Sequence, residues 1–350
     1  MLKTRAVIQI GPNEPIIVDE LDVPDPKPDQ VVLKLFSTGV CHSQLHNLRN
    51  PTLERPMVMG HEGTGVVTQV GRDVTHLKEG DHAIVTWVPR TPLRGRSQPE
   101  QLGVMYREEP VHGLVYTWAE DALAPADYVV PISKEHPTDV SCIVGCAVLT
   151  GAGAVLRTAK VRPGESVAVY GVGGVGLSAI RMAAILEAYP IVAVDLSDYK
   201  LDFAREFGAT HTVNASENDP VEYIVDVTGG GADYAFDAIG VRQTSEQILP
   251  STRGGGPGAD NDGGMAVLIG MPAPEMTLDP RLFMYHQRVY RGSLGAAYPD
   301  RDFEMYLRWY REGKFPLDRL VTRRYKLDDV LQACEDLESG QILGRAIIEY

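Results

Sequence analysis

One octet of the sequence, "GVCHSQLH" at residues 39–46, places four chemically active side chains close together. Cys41, His42, Ser43 and His46 supply one thiol, two imidazoles and one hydroxyl, in a chain that has only four cysteines. Such a turn is commonly a buried thiol beside surface imidazoles. The octet therefore indicates a site only if partners of the right chemistry lie elsewhere in the chain.

Suitable partners occur in two other segments, "MGHEGTG" and "IVGCAVL". They contain the adjacent pair His61 and Glu62, and a second thiol, Cys146. Two thiolates and one imidazole are typical zinc ligands, and a catalytic zinc keeps three protein ligands and one open position. Each residue alone is more often part of a core. Together with Cys41 they indicate a metal site, provided that a redox cofactor binds beside it.

A glycine-rich loop predicts such a cofactor. Gly171, Gly173 and Gly176 follow the apolar strand "SVAVY" and open the helix "LSAIRMAAIL". In the dinucleotide-binding motif these glycines permit a tight turn and a close approach of the backbone to a pyrophosphate, whose charge lies at the positive end of the helix. A glycine cluster used only for packing is the alternative. We predict that the loop, including Gly174 and Val175, binds a dinucleotide.

An acidic residue at the end of the next strand indicates which dinucleotide binds. Asp195 closes the strand "IVAVD", where a carboxylate accepts hydrogen bonds from ribose hydroxyls and repels a 2′-phosphate. The position favours NAD over NADP, unless Asp195 only caps the turn "DLSD". Lys200 is predicted to add a second ribose contact, with a solvated helix lysine as the alternative.

The whole chain bounds the class of protein. The chain has 350 residues, whereas single domains stop growing at about 250–300 residues, so two domains are expected. A net charge of −14 disfavours nucleic acid and anionic membranes as partners. The start lacks a signal-like apolar stretch, no run of about 18 apolar residues follows, and four dispersed cysteines suit a reducing compartment. We therefore expect a cytoplasmic protein whose partner is a small molecule.

The pattern of secondary structure changes along the chain. Short β-rich runs bounded by Gly, Pro and Asp occupy the first part, and alternating strands and helices follow. We predict an irregular β domain formed by residues 1–147 and 290–350, and a doubly wound parallel sheet over residues 148–289. Residues 253–264, "RGGGPGADNDGG", lack large apolar side chains and are predicted to form a mobile loop.

From about residue 5 to the end, the chain resembles the zinc-dependent medium-chain alcohol dehydrogenases. The matching segments are "GVCHSQLH", "GHEGTGVVTQVG", "GCAVLTGAGA", "GVGGVG" and "AVDLSDYK". The resemblance implies an α/β protein with a GroES-like catalytic domain and a Rossmann coenzyme domain. It also implies that Cys41, His61 and Cys146 ligate one catalytic zinc per chain, with Glu62 just behind the metal.

The same resemblance gives the remaining residues of the octet a role. Ser43 followed by His46 would carry the proton of a zinc-acidified alcohol through the cofactor ribose to solvent. His42 matches a family position that meets the cofactor pyrophosphate. Arg345, in "GRAII", matches a second such position, with a surface arginine as the alternative.

The resemblance implies that Trp87 forms an aromatic wall beside the zinc, and Trp118 is predicted to face the same pocket. Trp87 and Trp118 would favour unbranched or benzylic alcohols through flat apolar surface, with ordinary core aromatics as the alternative. We therefore predict a zinc-containing, NAD-dependent enzyme that interconverts primary or benzylic alcohols and aldehydes, and also ketones. The alternative hypotheses are that the protein is a zinc-free quinone or enoyl reductase, or that it is a non-catalytic dinucleotide-binding protein. We expect a homo-oligomer, either a dimer or a tetramer.

The chain departs from this family at three places. Segment 86–118 contains no cysteine, whereas many members carry four cysteines there for a structural zinc, so we predict a single metal. Gln44 replaces an aspartate that accepts a hydrogen bond from a zinc-bound histidine. We expect its carbonyl to accept that bond, and the loss of one negative charge to make the zinc more electrophilic. The third departure is loop 253–264, an insertion before "MAVLIGMP".

Overall fold

The structure, a computed structural model, describes residues 1–12, 14–94 and 102–350. The described residues divide into two compact units. Unit 1 comprises Met1–Cys146 and Tyr298–Tyr350, and unit 2 comprises Ala147–Ala297. Part of the cysteine-free segment 86–118, which bears on the prediction of a single zinc, lies outside the described residues.

The elements are as follows in chain order. The strands are β1 (Leu2–Gln9), β2 (Ile16–Val23), β3 (Gln30–Val40), β4 (Met57–Val58), β5 (Gly63–Val70), β6 (His82–Val85), β7 (Met105–Tyr106), β8 (Glu109–Pro110), β9 (Asp121–Pro125), β10 (Val129–Ile132), β11 (Val167–Tyr170), β12 (Ile191–Asp195), β13 (His211–Asn214), β14 (Tyr234–Asp237), β15 (Met265–Leu268), β16 (Val289–Gly292), β17 (Val321–Tyr325) and β18 (Arg345–Glu349). The helices are α1 (His42–Arg49), α2 (Thr138–Ser141), α3 (Ala147–Gly153), α4 (Gly174–Ile185), α5 (Asp198–Glu206), α6 (Pro220–Thr228), α7 (Arg242–Gln247), α8 (Pro280–Met284), α9 (Pro299–Arg311), α10 (Leu317–Leu320) and α11 (Val330–Glu338).

Unit 1 is built on two sheets within the described residues. One has the strand order β4-β1-β2-β7-β8, and the other has the order β10-β6-β5-β3-β18-β17, with β9 also paired to β3. The long strand β3 is almost entirely buried, because apolar residues occupy most of its positions. Its antiparallel partner β18 sets Ala346 opposite Val40, the octet residue directly before Cys41. The C-terminal strand is thus aligned with the start of the candidate site.

The helix that carries the octet is fixed by an apolar core. Leu45 of α1 packs in one buried cluster with Val330 and Leu337 of α11 and with Ala346 of β18. Buried apolar side chains stabilise such contacts by about 1.5–3 kcal/mol each. The polar residues of α1 are therefore held at a fixed position beside the end of β3.

Unit 2 contains a six-stranded parallel sheet in the order β13-β12-β11-β14-β15-β16. Its inner strands, such as β11 and β12, are continuous apolar runs, as expected for a sheet covered on both faces. The strand order reverses beside β11, and this is where doubly wound sheets bind dinucleotides. The predicted parallel, doubly wound fold of this unit is confirmed.

The boundary at the end of unit 2 differs from the prediction. The prediction assigns Ala147 and residues 290–297 to the first domain, but they belong to unit 2. The reason is that β16 extends the sheet as a parallel partner of β15, with Val289 opposite Met265.

The glycine-rich loop 253–264 is held by its backbone. The Gly255 N–H donates to the His286 carbonyl at 2.7 Å, and the Gly263 N–H donates to the Gln287 carbonyl at 3.0 Å. Arg253 pairs with Asp233 at 2.6 Å. The prediction of a mobile loop considered side chains only, whereas main-chain hydrogen bonds anchor this loop to the segment before β16.

In the part of the chain that the structure describes, no single helix has the length and apolar composition needed to cross a membrane. One bent pair, Thr138–Gly145 with Ala147–Ala159, meets that test of length and composition.

Candidate active site

Three separate segments of unit 1 bring the predicted metal ligands together. Cys41 lies between β3 and α1, His61 and Glu62 lie between β4 and β5, and Cys146 lies at the end of the first stretch of unit 1. One ligand atom from each of the four residues lies within 4.8 Å of the others. Both thiols and the carboxyl group are buried, and the imidazole is half-buried. This is the only such cluster found among the described residues.

Hydrogen bonds connect the ligand atoms. His61 Nε2 lies 3.2 Å from Cys146 Sγ, and the Ser43 hydroxyl donates to Cys41 Sγ at 3.2 Å. A hydrogen bond from Cys146 lowers the pKa of the Cys41 thiol well below its usual value, and the positive charge of Arg345 acts in the same direction. The same hydrogen bond, together with burial, raises the pKa of Cys146. Of the two thiols, Cys41 is the one whose surroundings favour the thiolate form.

The donor set fits a tetrahedral zinc ion. Bond lengths of about 2.3 Å to sulfur and 2.0–2.1 Å to nitrogen place neighbouring ligand atoms roughly 3.3–3.8 Å apart. The observed grouping within 4.8 Å needs only a small contraction to reach that arrangement. Cys41, His61 and Cys146 are the residues that would hold the ion, with Glu62 adjacent.

A buried ion pair supports the cluster. Glu62 has no exposed surface, and it accepts a hydrogen bond from the Arg345 guanidinium, which is itself 5% exposed. Burial raises the pKa of the Glu62 carboxyl, and the charge of Arg345 opposes that rise. The sequence reasoning missed this pair. Because the partners lie 283 residues apart and meet only through the register of β18 on β3, no local signal predicted it.

This placement bears on the predicted role of Arg345. Its guanidinium is buried inside unit 1, where it neutralises Glu62. The alternative, a surface arginine, is therefore wrong. A contact with the cofactor pyrophosphate stays a prediction.

Gln44 does not make the contact that the sequence suggested. Its carbonyl oxygen accepts the Gly60 N–H at 2.7 Å, and its amide nitrogen lies 2.5 Å from His61 Nδ1. The expectation that the carbonyl would accept a hydrogen bond from His61 is therefore wrong, because the amide is oriented with its nitrogen, and not its oxygen, toward Nδ1.

The other residues of the octet lie on α1. His42 is the exposed first residue of the helix, Ser43 is half-buried against Cys41, and His46 is exposed one turn further on. Ser43 is thus the octet hydroxyl in contact with the cluster, and His46 lies three residues later on the same helix with its imidazole exposed. A proton path needs a hydroxyl followed by an imidazole. Ser43 and His46 provide that order on one face of α1, because residues three apart in a helix are neighbours.

The two tryptophans occupy different environments. Trp87 is half-buried against the core of unit 1, and its indole N–H is buried without a partner among the described residues. Trp118 is completely buried in the core with Val7 and Met59, and its indole donates to the Gly39 carbonyl at 3.0 Å. The prediction that Trp118 lines a substrate pocket is corrected, because a side chain enclosed by core residues offers no surface to a ligand.

The glycine loop of unit 2 has the backbone geometry of its motif. Gly171 has a φ of +86°, a conformation that favours glycine. A Cβ atom on Gly176 would lie 1.8 Å from the Gly171 carbonyl oxygen, so only glycine fits between the loop and α4. Gly173 caps α4, which begins at Gly174 and Val175. The free N–H groups of this helix end are suited to binding a pyrophosphate.

Asp195 holds the loop in place. Its carboxylate accepts the Val172 N–H at 3.0 Å and the Leu196 N–H at 2.8 Å. Each oxygen retains a lone pair, so the carboxylate can still accept hydrogen bonds from ribose hydroxyls. Lys200 lies half-buried in the first turn of α5, just after this strand.

A GroES-like unit with a cysteine–histidine metal cluster, in the same chain as a Rossmann unit with a dinucleotide loop, defines a two-domain zinc oxidoreductase. Comparison with known proteins agrees. Residues 27–134 match the alcohol dehydrogenase GroES-like domain, and residues 174–312 match the zinc-binding dehydrogenase family. Both parts of the predicted fold are confirmed.

Full-length relatives extend the match. The chain is 30% identical to the class-3 alcohol dehydrogenase of Cereibacter sphaeroides, covering 99% of this chain and 100% of the relative. It is 31% identical to an S-(hydroxymethyl)glutathione dehydrogenase of Escherichia coli, covering 100% of both. The chain therefore belongs to the zinc-type medium-chain alcohol dehydrogenase family, as an NAD-dependent oxidoreductase.

Solved structures show the same fold. The benzyl alcohol dehydrogenase of Acinetobacter calcoaceticus is 28% identical, with a TM-score of 0.89 over 100% of this chain and 99% of that one. An alcohol dehydrogenase zinc-binding domain protein of Burkholderia ambifaria is 29% identical, with a TM-score of 0.91 over 99% of each chain.

Proposed function

We propose that the protein oxidises primary or benzylic alcohols to aldehydes with NAD, at a zinc site formed by Cys41, His61 and Cys146. The observation that carries this proposal is the meeting of these three ligands with Glu62 inside 4.8 Å, in a chain that also has the dinucleotide loop. Bound zinc supplies a Lewis acid that lowers the pKa of an alcohol. A quinone or enoyl reductase without zinc would not need the two thiols.

The protein's own residues then remove the proton. We propose that Ser43, whose hydroxyl contacts Cys41 Sγ, passes the proton of the alcohol toward His46. His46 is exposed, so it can release that proton to solvent. In this scheme Glu62 keeps the buried Arg345 paired and stands beside the metal ligands. His42, at the exposed start of α1, is proposed to meet the cofactor pyrophosphate.

Cofactor choice is proposed to depend on Asp195. We expect kcat/KM to be higher with NAD than with NADP, because the carboxylate repels a 2′-phosphate. Asp195→Ala should lower kcat/KM for NAD by about 10- to 100-fold, since hydrogen bonds to a charged group contribute about 1.5–3 kcal/mol. The matched control is Asp198→Ala, an exposed acid in the same turn, which should leave the preference unchanged. A preference for NADP in the wild type would contradict the assignment.

Substrate choice is proposed to depend on Trp87. The half-buried indole offers a flat apolar wall, and no cluster of charged or amide groups to bind extra hydroxyls was evident in the sequence. We expect kcat/KM, followed by NADH formation, to be higher for benzyl alcohol and a short linear alcohol than for a secondary alcohol or sorbitol. The similarity to a benzyl alcohol dehydrogenase supports this order.

Replacement of Trp87 by Ala should raise the ratio of secondary to primary alcohol turnover, because it removes bulk beside the reacting carbon. Trp309→Ala, at another tryptophan of unit 1, serves as the control. An unchanged ratio in Trp87→Ala, or a wild-type enzyme that prefers sorbitol, would place Trp87 outside the pocket.

We further propose that the protein is a homo-oligomer, either a dimer or a tetramer, in the cytoplasm. In unit 2, β16 is an edge strand with Val289 41% exposed, and Met284 and Leu294 nearby are 75% and 86% exposed. Exposed apolar edges of this kind favour pairing with a second copy. The four cysteines are all unpaired thiols, as a reducing compartment maintains them.

A further inference from the structure

The hydrogen bonds of Gln44 determine which nitrogen of His61 carries a proton. The Gly60 N–H can only donate, so the Gln44 atom 2.7 Å from it must be the carbonyl oxygen. The amide NH₂ group therefore faces His61 Nδ1 at 2.5 Å. Because an NH₂ group only donates, Nδ1 must be the accepting, unprotonated nitrogen. Gln44 is 5% exposed, so water does not offer an easy substitute for either contact.

The other nitrogen of the ring follows from this. A neutral imidazole with an unprotonated Nδ1 carries its proton on Nε2. In this structure Nε2 lies 3.2 Å from Cys146 Sγ, which accepts its hydrogen bond. The nitrogen that faces the thiols, and that would ligate a metal, is therefore occupied by a proton.

Metal binding conflicts with this arrangement. A histidine that ligates through Nε2 normally donates its Nδ1–H to an acceptor, which fixes the ring and raises its basicity. Here the Nδ1–H would point at another donor, the Gln44 NH₂ group. Rotating the amide does not help, because its NH₂ group would then face the Gly60 N–H. A carboxylate at position 44 would satisfy both donors, one with each oxygen.

We propose that Gln44 is a positioning residue that holds His61 of the metal-free protein in the Nε2-protonated tautomer and thereby weakens zinc binding. The inference rests on the proposed metal site. The earlier expectation was only that Gln44 removes a negative charge. The present inference adds that the site releases and rebinds its metal more readily than a site with a carboxylate at position 44.

The first test is zinc affinity. Gln44→Glu keeps the side-chain length and supplies two acceptors, so its Kd for zinc, measured by competition with a chromophoric chelator, should be about 10- to 100-fold lower than that of the wild type. Gln332→Glu, which adds the same charge at an exposed position of α11, should leave the Kd unchanged. If Gln44→Glu does not fold, Gln44→Asp takes its place. An equal or weaker affinity in the carboxylate variant overturns the inference.

The second test reads the tautomer without any metal. Nitrogen-15 NMR of histidine-labelled, chelator-treated protein should show His61 protonated at Nε2 in the wild type and at Nδ1 in Gln44→Glu, with the signal assigned by its loss in His61→Ala. Protonation at Nδ1 in the wild type overturns the inference. A protein that shows the expected tautomers but binds no zinc would contradict the proposed function instead, so the two failures are distinguishable.

Discussion

Cys146→Ala should lose its zinc and its alcohol oxidation, while the binding of NAD stays unchanged. A catalytic zinc has only three protein ligands, and removal of one thiolate leaves two, which is too few to retain the ion against a chelator. The dinucleotide loop is unaffected, because Gly171, Gly176 and Asp195 all belong to unit 2. Zinc is measured by elemental analysis after dialysis, activity by NADH formation, and cofactor binding by NADH fluorescence.

The matched control for this variant is Cys142→Ala. Cys142 is also buried, and it lies one turn earlier in the same unit, but its thiol donates to the Asp139 carbonyl at 3.1 Å and lies outside the metal cluster. It should retain about one zinc per chain and its activity. Two tightly held zincs in the wild type, or full activity in Cys146→Ala, would contradict the single catalytic site.

Removal of Arg345 should have the largest effect on stability. Arg345→Met leaves the Glu62 carboxyl, which has no exposed surface, without its counter-charge. Breaking a buried pair in this way typically costs about 3–5 kcal/mol, because the remaining carboxylate loses its guanidinium partner and gains no solvation inside the core. The free energy of unfolding in urea, with chelator present, should fall by that amount. Tryptophan fluorescence reports this unit, because Trp87, Trp118 and Trp309 all lie in it.

Two further variants separate the buried pair from general effects of arginine removal. Arg324→Met removes a guanidinium that is 43% exposed and pairs with Asp139 and Glu349, so it should cost at most about 1 kcal/mol. The double variant Glu62→Met/Arg345→Met should recover much of the stability lost in the single variant, since apolar replacements of similar volume remove both buried charges. Equal losses in the single and double variants would contradict this account.

The two features that carry the proposed function could be predicted from the sequence, the dinucleotide loop from contiguous residues and the metal ligands from their residue types. A strand, a glycine turn and a helix bring Gly171, Gly176 and the helix N-terminus together by local backbone geometry alone. The metal ligands could be predicted from residue chemistry. The chain has only four cysteines, and the dinucleotide motif indicates an enzyme in which cysteine and histidine can ligate a catalytic metal. The sequence was enough to select Cys41, His61 and Cys146 as candidate ligands, but the contacts among them depend on the fold.

Tertiary structure alone decided what surrounds those ligands. Arg345 reaches Glu62 only because β18 pairs with β3 in one register, and a one-residue slip would point the arginine to the opposite face of the sheet. Trp118 is completely buried in one apolar cluster of unit 1, whereas Trp87 is partly buried at the margin of another. The Gln44 amide is oriented by the Gly60 N–H, a backbone donor 16 residues away, whose direction no side-chain pattern encodes. Sequence motifs therefore predicted which groups would do the chemistry, whereas long-range pairing decided their hydrogen-bond partners and exposure, because those depend on neighbours distant in the chain.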